Sequence, residues 1–590
     1  MKNNFKIRVQ WRTFIPIFLL GLLAECAIFS AYRMKPVTGL KVGVLFVAVC
    51  VCAFALSILP FVQRWVDWIG QWFRSLPEKI KRNKKAILKQ LMILVAISVV
   101  AIGPANLLLK IHPVKITKYV FPGMYVLSWV VLFCVVYGIL YRDMLKNRIE
   151  ACVAVLIILL GTVYIAAEPT AIGSSWDEGI HYGRAMMMSY DFELEIPEAE
   201  IYTLDYEKTY MEKFETEKYE KWEQTLVEKS ENPKASLYGA CRPKYTTLVY
   251  IPSAIILLIS RALHLPFLLG IQLGKYGFLL LYALLTYLSM KKLKGGKMLV
   301  AAIMLLPQML FMTSHYSYDT WVVSWLILSM SCFIYELQHV DEKLSMKNVI
   351  LMMVSFFVGV SPKLIYIPLM LLFLFMPKSK FTSKKQRILY YGAIIIIVLC
   401  VLAMFMLPFL MASGATATDK RGGSDVDSSK QLALILGDIG GYLVVCWNFF
   451  KKYVAFSNWG SMTSLLAYNG KIPFEITSIV MLLVVAFTDK CEEDANMRWY
   501  HRGITAILSI GITLLIITAL YISYTPVGAD TVNGCQARYM LPLLFPMLYC
   551  VGSPKIENKT NVIAYRGIIL SLLSFIVLYG IWTAIICNYV

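Results

Sequence analysis

The sequence predicts an all-α polytopic membrane protein. Of its 590 residues, 58% are hydrophobic and 16% are charged, whereas soluble domains carry about 25% charged residues. The apolar runs are numerous, and most approach the roughly 20 residues that a helix needs to cross a bilayer. Lysine and arginine are concentrated in the short loops between these runs, a pattern that orients membrane proteins with basic loops inside. We therefore expect a bundle of about 13–15 transmembrane helices.

The charge and cysteine content exclude two other classes of protein. The net charge of +20 lies in loops between apolar runs, where it sets the orientation and attracts anionic lipid headgroups, so we exclude nucleic acid as a partner. The 13 cysteines lie mostly within apolar runs and form no CxxC pair. Neither disulfides nor a zinc site are therefore indicated.

Residues 1–148 are predicted to form an N-terminal extension of four membrane helices. The first apolar run is too long for a signal peptide and lacks a small-residue cleavage site, so we expect a retained helix. Between the second and third runs lies a basic segment rich in tryptophan (63–90), which is typical of a cytoplasmic segment in the membrane interface. The four predicted spans lie near 14–33, 42–62, 89–109 and 119–141.

Residues 149–590 are predicted to form the transmembrane core. Its first span, near 149–167, follows a basic loop and should run outward, which places a long loop (168–245) on the external side. The acidic stretch 191–231 within that loop predicts an external helical hairpin or lid, either merely solvated or in contact with substrate. A helix lying on the outer surface is the preferred interpretation of 242–266, because a full span would place the basic KKLKGGK segment outside.

The rest of the core contains further spans and one short hairpin. Two short apolar pieces, 348–360 and 363–376, have basic residues at both outer ends, so they predict a helical hairpin with Lys363 near its external tip. A further external surface segment is expected over 412–470. The remaining spans are predicted near 267–290, 298–314, 320–338, 387–411, 473–488, 503–522, 539–552 and 563–587.

This topology places four polar clusters on one external face. They are WDEGIH (176–181), SHYSYD (314–319), Lys363 and NGCQARY (533–539). Ionisable groups at a membrane edge are costly to maintain, so they are candidates for function.

The first cluster combines a carboxylate with a histidine. Asp177 and Glu178 are adjacent and would diverge by about 100° on a helix, so they cannot act side by side. If the following residues are helical, Asp177, His181 and Arg184 share one face. A carboxylate beside a histidine suits a general base toward a sugar or polyol hydroxyl. Asp177 also suits a helix N-cap, and spacing alone leaves both interpretations open.

The other clusters carry the same ambiguity. Asp319 precedes an apolar run and could be a helix N-cap or a functional acid. Lys363 has no orienting role at an external tip, and a phosphate is the natural partner of a fixed ammonium group there. Arg538 could be an interfacial anchor together with Tyr539, or a bidentate phosphate ligand.

Four segments, in this order and spanning 149–555, resemble the bacterial membrane proteins called "domain of unknown function 2142". WDEGIHYGRA resembles the DE-x-x-H-x-x-R-A element of that family, and LLPQMLFMTSHYSYD resembles its LP…S-x-x-x-D element. SPKLIYIPLMLLFLFMP resembles its K-x-x-Y-x-P hairpin. YTPVGADTVNGCQARYMLPLL resembles its P-V-G…G-x-Q-G-R-Y-x-x-P signature, with Ala537 in place of the usual glycine.

The family is similar in architecture to the GT-C glycosyltransferases, polytopic enzymes that take a sugar from a polyprenyl-phosphate carrier outside the cytoplasm. The resemblance implies a GT-C-like core in which Asp177 is the catalytic base, with Glu178 as the fallback. Asp319 matches a second acidic residue of such enzymes. A divalent metal at Asp177 and Asp319 stays open, although no ligand set demands one. The substrate-binding candidates are His181, Arg184, Lys244, Asp319, Lys363, Gln536, Arg538 and Tyr539.

The leading hypothesis is therefore an inverting glycosyltransferase of the bacterial cytoplasmic membrane whose active site faces outside. Its donor would be a polyprenyl-phosphate-linked sugar, and its acceptor a cell-envelope glycan or a teichoic-acid-like polymer. The alternative is a transporter or flippase of lipid-linked glycans without transfer chemistry. The sequence shows no internal repeat and clusters its charges outside, which disfavours a transporter. A scaffold protein would leave the ordered motifs unexplained.

Overall fold

The computed structural model describes residues 11–31, 39–112, 117–168, 172–193, 195–210, 216–238, 245–411, 425–455 and 459–589. Eight helices in these ranges are long and apolar enough to cross a membrane, or up to ten if each of two bent helix pairs counts as one span. The predicted all-α polytopic class is confirmed. The expected number of 13–15 spans exceeds these eight to ten; the spans expected near 473–488 and 539–552, for example, are shorter apolar helices of 10–17 residues.

The N-terminal helices pack in two groups, three helices over 11–82 and three over 84–140. Helices α2 (Gly39–Ile58) and α3 (Pro60–Arg82) meet at a bend of 93°. Helix α3 exposes Trp65 and Trp68, as expected for a helix in the membrane interface. Helices α4 and α6 are joined by polar contacts: the Tyr137 hydroxyl donates to Gln90 Oε1 over 2.6 Å. The boundary at 148 stays a prediction. The helices are α1 Trp11–Ala31, α2 Gly39–Ile58, α3 Pro60–Arg82, α4 Lys84–Val100, α5 Ile102–Ile111, α6 Thr117–Leu140 and α7 Met144–Asn147.

A helical hairpin closed by a small ladder follows the first core span. Strands β1 (Glu195–Pro197) and β2 (Ala235–Leu237) pair antiparallel, with Ile196 opposite Ser236. They close the base of the hairpin made by α10 (Glu198–Tyr210) and α11 (Thr216–Glu231). The predicted hairpin in the acidic stretch is thus present. The elements are α8 Ile149–Ala167, α9 Glu178–Ser189, β1 Glu195–Pro197, α10 Glu198–Tyr210, α11 Thr216–Glu231 and β2 Ala235–Leu237.

Helix α12 (Ile251–Ala262) has the features predicted for a surface helix. Its twelve residues rise only about 18 Å, too little to cross the hydrocarbon core. One stripe, including Ile255 and Ile259, is exposed, whereas Leu257 on the opposite side is buried. Such a stripe is stable when it faces lipid.

The remaining core contains one correction to the predicted spans. The segment expected to form a single span over 298–314 is two helices, because Pro307 cannot supply a backbone N–H to a continuing helix and instead begins the second one. The helices are α13 Phe267–Lys292, α14 Lys297–Met304, α15 Pro307–Thr313, α16 Asp319–Gln338, α17 Met346–Val360, α18 Lys384–Met411, α19 Ser428–Gly437, α20 Ile439–Phe449, α21 Trp459–Ser464, α22 Glu475–Thr488, α23 Trp499–Ser523, α24 Leu541–Val551 and α25 Val562–Gly580.

The short hairpin carrying Lys363 is also present. Its first arm is α17, with 15 residues, and its second arm is a 3₁₀ helix, Leu364–Phe375, with 12 residues. A 3₁₀ helix rises about 2.0 Å per residue and an α-helix about 1.5 Å, so the two arms reach similar lengths despite their different residue counts. Lys363 lies directly before the second arm.

The loops segregate to opposite ends of the bundle. At one end the basic loops meet: the Lys294 amide donates to Gln338 Oε1 over 2.8 Å, and the Leu344 amide donates to the Lys380 carbonyl over 2.8 Å. At the other end the four polar clusters predicted to share a face meet one another.

Candidate functional site

Asp177 lies in a backbone turn before α9. Its φ angle is +54°, a left-handed conformation that is uncommon for residues other than glycine. It occupies the N-cap position of α9, yet its side chain makes no cap hydrogen bond. Instead its Oδ2 lies 3.7 Å from Arg538 Nη2, and its side chain is 41% exposed. The geometry therefore favours a functional carboxylate over a helix cap.

The Glu178 side chain points into the bundle, whereas the side chain of Asp177 is partly exposed. Its carboxylate accepts hydrogen bonds from the amides of Gly173 (2.8 Å) and Ser174 (3.1 Å), and it lies 3.4 Å from Lys275 Nζ. Burial opposes its ionisation, but Lys275, His315 and the backbone amides outweigh burial, so the pKa of Glu178 lies below its usual value. Glu178 holds the turn that presents Asp177.

His181 and Arg184, which lie on the following turns of α9, both contact the Tyr250 hydroxyl. His181 Nδ1 lies 2.7 Å from the Tyr250 hydroxyl, and Arg184 Nη1 donates to the same oxygen over 3.5 Å. Burial lowers the pKa of His181 to about 3, with only Asp319 opposing it. His181 is therefore neutral at physiological pH, as a hydrogen-bonding rather than a charged group.

Asp319 is the centre of a buried ion cluster. One oxygen contacts Lys363 Nζ, and the other lies 3.1 Å from Arg538 Nη1. Tyr318, not Asp319, occupies the N-cap position of α16, and no side-chain cap is formed there. The ion cluster, rather than capping, accounts for this aspartate.

The two cations of the cluster are surrounded by aromatic rings. The Arg538 guanidinium lies 4.6 Å from the Trp176 ring centre. Lys363 Nζ lies 4.3 Å from the ring centre of Tyr539 and 5.2 Å from that of Tyr318. Arg538 is only 5% exposed, so it is not an interfacial anchor. Among the described residues its Nε has no hydrogen-bond partner, which leaves a donor available to a ligand.

The summed charge of the site is positive. Arg184, Lys363 and Arg538 contribute three positive charges, whereas Asp177 and Asp319 contribute two negative ones. A buried, hydrogen-bonding site with one surplus positive charge favours an anion such as a phosphate.

Two of the predicted substrate-binding residues are not among the contacts described above. Gln536 precedes the 3₁₀ turn Ala537–Met540 that carries Arg538 and Tyr539, and its buried Oε1 has no hydrogen-bond partner within the described ranges. Lys244 lies outside the described residues.

The structure adds residues that the sequence analysis did not name as site candidates. Trp176 and Tyr318 pack against the two cations, and the Tyr250 hydroxyl accepts a hydrogen bond from Arg184. A second buried layer lies behind the turn: His315 Nε2 is 3.6 Å from Glu168 Oε1, which also accepts from Asn469 over 3.2 Å. Lys275 could have been identified from the sequence, because it is a lone cation within a predicted span.

The site does not fit a divalent metal ion. Both Asp319 oxygens contact cations, which would repel a second positive ion. Across the described part of the chain, no group of three His, Cys, Asp or Glu side chains is spaced to hold a metal.

Comparison with known proteins identifies the family. No match is found among curated proteins or among solved structures. A family model described as "predicted membrane protein (DUF2142)" matches residues 159–547, more than half of the 590 residues, and its range includes all four polar clusters. The chain therefore belongs to the DUF2142 family of predicted membrane proteins.

Proposed function

We propose that this protein is a membrane glycosyltransferase that moves a sugar from a polyprenyl-phosphate-linked donor to an envelope glycan or teichoic-acid-like acceptor. The observation that carries the proposal is the half-exposed Asp177 carboxylate beside the buried Asp319–Lys363–Arg538 cluster. A base and an anion-binding group side by side are what such a transfer requires.

The chemistry assigns one role to each group. Asp177 takes the proton from the acceptor hydroxyl, whose oxygen forms the new bond to the anomeric carbon. The bond between that carbon and the phosphate oxygen breaks, and its electron pair leaves with the polyprenyl phosphate. Lys363, Arg184 and Arg538 stabilise the growing negative charge, so their contacts strengthen in the transition state. Attack opposite to the leaving phosphate gives inversion.

The proposed setting is the outer face of the bacterial cytoplasmic membrane. The site lies at the end of the bundle opposite the basic loops, and basic loops stay inside. The donor's hydrocarbon chain would remain in the bilayer while its phosphate reaches the cluster.

The test uses the purified full chain in lipid nanodiscs with a polyprenyl-phosphate sugar and an envelope acceptor. We expect transfer by the parent chain and none by Asp177→Asn, with folding and donor binding retained. Asp191→Asn is the matched control, because Asp191 has the same left-handed φ of +54° and is exposed. Full activity of Asp177→Asn would remove Asp177 as the base. Lipid translocation without transfer would favour the transporter alternative.

A further inference from the structure

A second cavity lies on the other side of α9 from the Asp177 site. It measures about 630 Å³, within the range of about 300–1,000 Å³ typical of small-molecule sites. We call it the hairpin cavity. It is lined by Leu226 and Val227 of α11, by Leu257 and Arg261 of α12, and by Tyr182 and Tyr190 in and directly after α9.

The inner end of the hairpin cavity is polar but electrically balanced. Arg261 Nη1 lies 3.4 Å from Glu200 Oε1, and that oxygen also accepts from the Tyr190 hydroxyl over 3.1 Å. The Tyr182 hydroxyl donates to the other oxygen of Glu200. One cation and one carboxylate cancel, so a charged ligand would meet a repelling group of its own sign. A neutral ligand with hydroxyl groups can use both.

Arg261 supplies a specific reason to expect a ligand. Its guanidinium is packed over the Tyr190 ring at 3.9 Å, and its Nη2 donates to the Ser189 carbonyl over 3.0 Å. Its Nε is buried, and no acceptor for it exists among the residues that the structure describes. Leaving a buried donor without an acceptor is unfavourable, and a ligand hydroxyl would satisfy it.

The outer part of the hairpin cavity is apolar and close to lipid. Phe267 and Leu268, which begin the α13 span, line it. Val227 at its edge is 41% exposed. Helix α12, which lines the cavity, also carries the exposed stripe that includes Ile255 and Ile259. The rim also carries Glu231, whose charge disfavours an anionic phospholipid, whereas the charge of Glu223 is paired with Lys118 at 3.2 Å.

We infer that the hairpin cavity binds the neutral, hydroxylated headgroup of a membrane glycolipid, whose hydrocarbon chains remain in the bilayer beside α12 and α13. This site is separate from the transfer site, and its occupancy does not depend on transfer chemistry.

The test is native mass spectrometry of the full chain released from nanodiscs that contain diglucosyl diacylglycerol as the probe. We expect the glycolipid to be retained in preference to phosphatidylglycerol and to soluble maltose. Val227→Trp, which narrows the cavity from its exposed edge, and Arg261→Gln should each lower retention at least about tenfold. Ile255→Trp, on the lipid-facing stripe of α12, is the control and should retain the lipid.

Three outcomes would overturn the inference. They are unchanged retention in the correctly folded Val227→Trp chain, retention of phosphatidylglycerol equal to that of the glycolipid, and binding of maltose as tight as that of the glycolipid.

Discussion

The Glu178 carboxylate lies 3.4 Å from the Lys275 ammonium group, and both side chains are excluded from solvent. This pair ties the turn before α9 to the α13 span. It explains why two adjacent acids, Asp177 and Glu178, have different surroundings: one is half exposed at the site and the other is enclosed by donors.

Lys275→Met should destabilise the fold strongly. Removing one partner of a buried ion pair leaves an uncompensated charge, which costs about 3–5 kcal/mol. The double variant Glu178→Gln/Lys275→Met should recover part of the loss, because no buried charge then remains. Thermal unfolding in detergent measures both. Equal stability of Lys275→Met and the parent chain would refute the pairing.

Asp319→Asn should also destabilise, because it leaves Lys363 and Arg538 without their shared carboxylate. The expected loss is about 3–5 kcal/mol, and adding Lys363→Met should return part of it. A lowered unfolding temperature that the second substitution raises again would support the cluster. If the second substitution lowers stability further, the two residues do not act as a pair.

His181 should make stability depend on pH. The unfolded side chain has a pKa near 6.5 and the folded one about 3, so between these values the unfolded state binds more protons. Stability therefore rises with pH in this window and falls by about 1.4 kcal/mol per unit on acidification. Unfolding temperatures at pH 7.5 and 5 should differ less for His181→Gln than for the parent chain. An identical pH slope in both would contradict the prediction.

Gly277→Ala should separate α12 from α13. A Cβ atom on Gly277 would lie 2.4 Å from the Ser253 amide nitrogen and 2.5 Å from the Pro252 carbonyl carbon, and backbone atoms cannot move aside as a flexible side chain can. We expect a lowered unfolding temperature, since small residues permit close helix packing in membranes. Gly392→Ala is the control, because its Cβ would meet nothing within 4 Å. Equal effects of the two substitutions would argue against the close crossing.

Topology can be tested by labelling single introduced cysteines with a membrane-impermeant maleimide. Glu217→Cys in α11 should react in intact cells, whereas Lys294→Cys should react only after the membrane is opened. The reasons are the basic loop around Lys294 and its position at the end opposite the polar clusters. Labelling of Lys294→Cys from outside would reverse the face assignment on which the proposed function depends.

Much of the candidate site was accessible from the sequence because topology is encoded in local composition. Apolar runs and basic loops placed Asp177, Asp319, Lys363 and Arg538 at the same end of the bundle. Their charges at a membrane edge identified them as candidates. The sequence did not show that Asp319 bridges Lys363 and Arg538, because these residues are far apart along the chain and their contacts depend on helix packing.

The broken span at Pro307 shows the limit of hydropathy. An average over 298–314 records an apolar segment but not the change of direction that a proline imposes at the start of a helix. The hairpin cavity could not be predicted from the sequence either, since it forms only where α11 packs over the turn between α12 and α13.

The sequence by itself determined the membrane class, the predicted face of each loop and the family to which the ordered motifs point, because hydropathy, loop charge and motif order are local properties. Only the tertiary structure gave two neighbouring acids different surroundings. Asp177 stays half exposed beside Arg538, whereas Glu178 turns inward to Lys275. That difference arises from a left-handed turn and a buried cation 97 residues further along the chain, and no spacing rule in the sequence connects the two.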